Sequence, residues 1–341
     1  MQILYEECII KTAKFLIASS HRYSNLERKG FMNYHKQTDR FISSDGKSNI
    51  SYYIYIPQTT KPKAILQISH GMCEFIERYE EFAGFLCGNG VIVCGNDHLG
   101  HGNSISSEDD LGYFGEENGH EYLVRDLYKT MTLVRKSYPG LPYFMLGHSM
   151  GSFVARMFLT QYGKELTGAI ICGTSGGNPF ARFGIRLAKS TARKKGSRFR
   201  SKKLNSMAFN SYNKRIEKPV SKFDWLTSDS KIVSSYEQNP KNNFVFTVSG
   251  FKDLFTLVKL VSEKEWADKV PKNLPLFLIA GEEDPVGDYG KGVRKVCKRL
   301  IQADVQDIAL HLYPNGRHEI INESNRQDVY RDIVRWLDSK L

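Results

Sequence analysis

The chain has 341 residues, of which 41% are hydrophobic and 25% charged, and its 20 Phe, 18 Tyr and 3 Trp give enough apolar material for a large core and exclude a disordered chain. The formal net charge is +11, but ten cations (Arg182, Arg186, Lys189, Arg193, Lys194, Lys195, Arg198, Arg200, Lys202 and Lys203) fall in 22 residues that contain no acid, so the basicity is one local feature; with no binding motif or stacking platform beside it, no nucleic-acid partner is expected. No apolar run reaches the roughly 18 residues of a membrane helix, and six scattered cysteines without a CxxC pair point to reduced thiols, with neither disulfide nor metal site expected.

Residues 1–31 read as an N-terminal extension with weak helical patterning around Ile9 to Ile17, and Met32 is an alternative start. Glu6 and Glu7 precede a short apolar patch cut by Lys11 and Lys14, which leaves no export signal and makes the cytoplasm the expected compartment. Further on, apolar runs at Ile50 to Ile56, Ala64 to Ser69, Val91 to Gly95, Tyr143 to Gly147, Ala169 to Gly173, Leu276 to Ala280 and Ile308 to Tyr313 read as strands. Segments of helical period separate them, so the expected core is a mostly parallel sheet with helices on both faces.

The first strand with chemistry at its end is Ala64 to Ser69, which runs into His70-Gly71-Met72. Gly71 lets the backbone approach a substrate closely, and the Met72 N–H is a candidate oxyanion donor. Next comes Gly147-His148-Ser149-Met150-Gly151, a GxSxG sequence between the strand Tyr143 to Leu146 and a helix striped by Met150, Phe153, Val154, Met157 and Phe158. That setting is the strained strand-to-helix turn that exposes a nucleophilic serine, with the following N–H, here that of Met150, as second oxyanion donor. His70, Gly71 and His148 flank these groups and are assigned to substrate binding. A second match, Gly173-Thr174-Ser175-Gly176-Gly177, leads into Pro179 and reads as a loop.

The strand rhythm breaks from about Gly176 to Glu265, which reads as a mainly helical inserted cap (176–265) dividing the core into 32–175 and 266–341. Phe180, Phe183 and Leu187 fall at i, i+3 and i+7 on a helix begun at Asn178-Pro179. This stripe either packs onto the core or faces lipid, with Arg182, Arg186 and Lys189 beside it. After the cap, Asp284 follows the strand Leu276 to Ala280, with Asp288 as the next choice of acid. His318 lies in a turn past the last strand, where a base can reach the carboxyl edge of the sheet, whereas His311 sits within that strand and reads as structural.

With Ser149, Asp284 and His318 in that chain order, the sequence resembles the α/β-hydrolase superfamily, in the branch of monoacylglycerol lipases, lysophospholipases and serine aminopeptidase-like hydrolases. The resemblance runs from about His70 to His318. It rests on His70-Gly71-Met72 with Glu74 and Arg78-Tyr79, on Asn96-Asp97-His98-Leu99-Gly100-His101-Gly102-Asn103-Ser104, on Gly147 to Gly151, on Gly281 to Asp284 and on His318. It implies an α/β-hydrolase fold with an eight-stranded, mostly parallel sheet, and a serine hydrolase that cleaves esters of single-chain acyl lipids through a Ser-His-Asp triad and an acyl-enzyme, without cofactor. In that branch the Asp97 to Ser104 loop is structural, so His98 and His101 are expected as hydrogen-bonding residues. Two other readings stand beside this one: an aminopeptidase-like amide hydrolase that uses Glu217, Asp224 or Asp229 to bind a substrate ammonium, and a non-catalytic ligand-binding protein on the same fold. The basic run adds the expectation of peripheral contact between cap and anionic membrane.

Overall fold

The computed structural model describes residues 34–341; the reading of residues 1–31, with its helical pattern and the start at Met32, lies outside the described residues. The strands are β1 (Tyr34–Ile42), β2 (Asn49–Pro57), β3 (Ala64–Ser69), β4 (Val91–Asn96), β5 (Tyr143–His148), β6 (Gly168–Cys172), β7 (Leu276–Gly281) and β8 (Ile308–Tyr313). They form one eight-stranded sheet in the order β1-β2-β4-β3-β5-β6-β7-β8. β2 is antiparallel to both β1 and β4, and every other pairing is parallel. The helices are α1 (Glu80–Gly88), α2 (Gly119–Ser137), α3 (Met150–Tyr162), α4 (Ala181–Lys195), α5 (Lys202–Phe209), α6 (Ser230–Gln238), α7 (Val248–Ser262), α8 (Glu265–Asp268), α9 (Lys291–Gln302) and α10 (Arg326–Asp338).

Seven sequence runs become β2 to β8. β1 is the strand that sequence reading misses, and its burial explains why: most of its side chains are exposed, and among the described residues it lies at the sheet edge, paired only with β2. An edge strand needs no apolar alternation, and charges such as Lys36, Asp39 and Arg40 discourage a further strand from adding.

The central strands are buried on both faces, so their alternation sorts residues between two cores rather than between core and water. Ile65, Met145, Ile171 and Leu278 join α2, α3 and α9 on one face. Leu66, Leu146, Ile170 and Phe277 join α1 and α10 on the other, where the buried Trp336 lies 5.7 Å from Phe277 and 5.8 Å from Phe144, ring to ring. The parallel strands end at a common edge. The turns after β3, β5, β7 and β8 therefore bring His70 to Met72, Ser149, Asp284 and His318 to one side of the sheet, the position where open α/β sheets bind ligands.

Between β6 and β7 the regular elements of the described chain are helices joined by loops, apart from one bridge, Arg200 to Thr247. α4 packs on α7, with Gly184 against the Phe255 ring. Its helical run begins at Ala181 rather than at Asn178-Pro179, with Phe180 in the N-cap position. The face it buries is Ala181, Gly184 and Ala188, which rotates the expected stripe: Leu187 is half-buried against the core, whereas Phe180 and Phe183 are 74% and 59% exposed. No helix of the described residues is long and apolar enough to cross a membrane.

Candidate active site

Ser149 occupies the turn between β5 and α3 with φ 52° and ψ −121°, a conformation that a residue with a side chain adopts at a cost of about 1–3 kcal/mol. The turn is tight because α3 presses against the preceding strands. A Cβ on Gly151 would collide with the backbone oxygens of Ser69 and His70, and one on Gly147 would lie 2.6 Å from both the Ala155 Cβ and the Gly151 oxygen. The Ser149 N–H donates to the Cys172 carbonyl at 3.1 Å, which ties the turn to β6. Gly71 faces the serine: a methyl group there would stand 3.0 Å from the Ser149 Cβ.

Asp284 and His318 come from the turns after β7 and β8, which are joined by Glu282 N–H to Tyr313 O at 3.0 Å and Glu283 N–H to Gly316 O at 2.9 Å. The His318 Nδ1 lies 2.9 Å from the Asp284 Oδ1, which also accepts the Val286 N–H at 2.8 Å. Both side chains are buried. This partnership holds one tautomer of the imidazole, with Nδ1 as donor to the carboxylate and Nε2 as the basic nitrogen. Asp288, the alternative acid, is exposed on the turn that follows.

Ser149, Met72 and Met150 line one cavity of about 360 Å³ whose other walls are mainly apolar, among them Phe153, Leu254, Phe255 and Val258. Met150 is the first residue of α3, where an N–H has no intrahelical acceptor; among the described residues the Met72 and Met150 N–H groups donate to no loop or turn acceptor. Ser175 also borders the cavity, but its hydroxyl accepts the Gly177 N–H at 3.1 Å and closes the loop there.

The expected substrate-binding histidines lie below this cavity. His70 is fully buried, donates from Nδ1 to the Gly71 carbonyl at 2.8 Å and accepts the His98 N–H on Nε2 at 2.8 Å. These bonds require a neutral ring, and burial with His98 and His101 nearby lowers its pKa well below the usual histidine value. Its effect is to shape the turn that carries Gly71 and Met72. His98 and His101 are buried in the same cluster, bonded to Ser69 and to the Leu99 carbonyl, and burial brings them down to about 3 and about 4. Among the described residues no group of His, Cys, Asp and Glu is arranged to hold a metal ion.

His148 belongs to a buried ionic network. Its Nδ1 lies 2.8 Å from the Glu74 carboxylate and its Nε2 3.4 Å from the His318 carbonyl. Burial alone would lower the His148 pKa, yet the charge and hydrogen bond of Glu74 raise it above the usual value. Burial would raise Glu74, but His148 and Arg78 bring it down to about 2. Arg78 in turn makes a two-pronged pair with Glu319 at 2.9 and 2.7 Å, next in chain to His318, and lies over the Tyr236 ring. Trp225 covers His318 from the helical segment, with ring centroids 5.1 Å apart.

Two further arginines pin that segment to the core. Arg156 of α3, fully buried, donates to the Ser175 and Val261 carbonyls at 2.9 and 2.8 Å and lies 4.0 Å over the Trp266 ring. Arg299 of α9 donates to the Gly176, Val261 and Ser262 carbonyls. The sequence motifs named Glu74 and Arg78 without a role and did not reach Glu319, Trp225, Arg156 or Arg299, whose partners are remote in the chain.

Known proteins share the fold and sequence family of this chain. The profile of the family described as serine aminopeptidase, S33, matches residues 60–325. Human monoglyceride lipase is 27% identical over 304 residues, covering 88% of this chain and 89% of the relative. The monoacylglycerol lipase of Mycolicibacterium smegmatis is 24% identical, covering 89% of this chain and 98% of its own length. Among solved structures, a thermostable carboxyl esterase from Bacillus coagulans in complex with glycerol superposes with a TM-score of 0.84 at 33% identity, covering 89% of this chain and 98% of that one.

Proposed function

Because the chain belongs to the serine aminopeptidase S33 family of α/β-hydrolases, we propose that it hydrolyses carboxylic esters of single-chain acyl lipids, monoacylglycerol or lysophospholipid, with Ser149 as nucleophile. The observation that carries this reading is the apolar cavity that opens on Ser149 between Met72 and Met150. His318 Nε2 takes the proton of the Ser149 hydroxyl as Oγ attacks the ester carbonyl, and the Met72 and Met150 N–H groups hold the oxyanion. Collapse of this intermediate expels the alcohol, which takes the proton from His318 and leaves the acyl-enzyme. Water, deprotonated by the same nitrogen, then releases the acid and restores Ser149. Asp284 orients the imidazole and stabilises its charged form without taking a proton.

The amide-hydrolase alternative asks for a carboxylate facing the substrate ammonium. Asp224 and Asp229 instead accept backbone N–H groups within the helical segment, and neither they nor Glu217 border the cavity at Ser149, which supports ester over aminoacyl substrates. Residues 176–265 act in this reading as an inserted cap that supplies the acyl cavity. Phe180 and Phe183 are exposed and border its mouth; Arg186, Lys189, Arg193 and Lys194 are exposed on the same helix. The cap therefore meets its substrate at an anionic membrane surface. A hydrolysis panel of p-nitrophenyl esters, monoacylglycerols, lysophospholipids and aminoacyl amides tests the assignment: turnover confined to the amides overturns it.

A further inference from the structure

A second recess lies beyond Tyr212, which borders both it and the acyl cavity. It encloses about 580 Å³ and is lined by Arg215, Glu217, Trp225, Glu283, Tyr289 and Arg317 among others. Building on the ester-hydrolase reading above, we propose that this recess receives the zwitterionic phosphodiester head group of a lysophospholipid while the acyl chain fills the apolar cavity.

Position is the first argument. Glu283 adjoins Asp284 and Arg317 adjoins His318, and the two turns are bonded to each other, so the recess lies on the His318 side of Ser149. The acyl and alcohol parts of an ester flank its carbonyl, and the alcohol oxygen must reach His318 to take its proton. The leaving alcohol is thus directed toward the recess. Tyr212 and Trp225 form the wall between, edge to face at 4.7 Å, with Trp225 against His318.

Charge is the second. Arg215 lies 3.4 Å over the Tyr289 ring, which holds its guanidinium against the wall. Arg317 donates through Nη1 to the Asp224 and Thr227 carbonyls, an arrangement that fixes the planar fork. Among the described residues, Arg215, Glu217 and Glu283 take part in no ion pair, so cations and acids line one recess without neutralising each other. Glu323 differs: it is buried and accepts from the Ser228 and Arg317 N–H groups. Arg215, Glu217 and Glu283 are exposed and hydrated in the free recess; a neutral polyol would make no use of their charge, a phosphate monoester would face Glu217 and Glu283, and an amine alone would face two arginines. A head group with phosphate toward Arg215 and Arg317 and ammonium toward Glu217 and Glu283 meets both signs.

The test uses the full chain as Ser149→Ala, titrated calorimetrically with sn-glycero-3-phosphocholine, glycerol 3-phosphate and glycerol. The expected result is saturable binding of glycerophosphocholine at least tenfold tighter than of the other two, and a further loss of tenfold or more in Arg215→Gln and in Glu283→Gln made in the same background. Absence of saturable binding, equal binding of the three compounds, or indifference to both substitutions overturns the head-group site. Turnover by the native enzyme separates the two proposals: monoacylglycerol cleavage without glycerophosphocholine binding removes the recess and keeps the ester hydrolase, whereas cleavage of no ester removes the hydrolase reading itself.

Discussion

His148 and Glu74 form a buried ion pair, 2.8 Å apart, with the His148 ring 4.9 Å from that of His318. The raised pKa of His148 and the lowered value of Glu74, about 2, give the pair a defined pH window. The Glu74 contribution is complete above the ordinary carboxylate value and is lost as pH falls toward 2; the His148 contribution is complete below the ordinary histidine value and is lost as pH rises through its raised one. Glu74→Gln leaves the imidazolium and Arg78 short of a carboxylate, and destabilisation of about 3–5 kcal/mol is expected at neutral pH. Urea unfolding measures it; a change within 0.5 kcal/mol would show that the pair contributes nothing net.

Ser149 should be the one covalent nucleophile. A fluorophosphonate probe followed by peptide mapping is expected to label Ser149 and not Ser175, because the Ser175 hydroxyl accepts the Gly177 N–H. Ser149→Ala should lower kcat by several powers of ten, on the order of 10⁶ as for other triads, while Ser175→Ala stays within about tenfold of native. Label on Ser175 reverses the assignment.

Acid should loosen the fold well before it denatures an ordinary globular protein. His70, His98 and His101 are neutral when folded, with values lowered from 6.5 to about 3 for His98 and about 4 for His101. Below pH 6.5 the unfolded chain binds protons that the native state refuses, so stability falls with pH by about 1.4 kcal/mol per unit for each net proton. Burial raises Asp97 to about 6 and Asp126 and Asp332 to a lesser extent, and their native-state proton uptake opposes part of the loss. At its onset the three histidines outweigh Asp97, so the urea midpoint should start to drop just below pH 6.5. A midpoint constant down to pH 5 contradicts this account.

Binding to vesicles should depend on anionic lipid and on salt. Each Lys or Arg near such a surface is worth about 1 kcal/mol, so changing Arg186, Lys189, Arg193 and Lys194 to Gln should weaken partitioning by roughly a thousandfold. Arg198 is left out because it is already paired with Asp110 at 2.9 Å. Co-sedimentation with neutral and anionic vesicles, at low salt and at 1 M where the Debye length is about 3 Å, reads the effect. Equal binding to both kinds of vesicle would falsify electrostatic docking.

The parallel strands were legible because burial on both faces demands uninterrupted apolar runs, and Tyr143 to Leu146 or Leu276 to Ala280 can be little else. β1 carries Lys36, Asp39 and Arg40 and is defined by its nine-residue register with β2, information that lies in the partner. The Phe180, Phe183, Leu187 stripe has correct helical spacing, but helical period fixes relative angles and not the rotation of the helix, which the Gly184 contact with Phe255 sets. Ser149, Asp284 and His318 could be nominated from the sequence because each follows a recognisable strand. The network beneath them could not: Arg78 and Glu319 are 241 residues apart, and no local pattern marks two charges as mutual partners until the sheet has formed.

Arg156 and Arg299 gather the carbonyls of Ser175 and Gly176 and those of Val261 and Ser262 at one spot, and the Asn178 N–H reaches the Ser262 hydroxyl at 2.9 Å. The helical excursion thus leaves and rejoins the body through a single doorway. A chain excised between those points could be rejoined by a handful of residues, at a closure entropy that depends only weakly on the length removed, without altering the register of any strand. Changes of length between those points are therefore expected to leave the sheet intact as long as the core face of α7 is kept, because both arginine fastenings belong to the body.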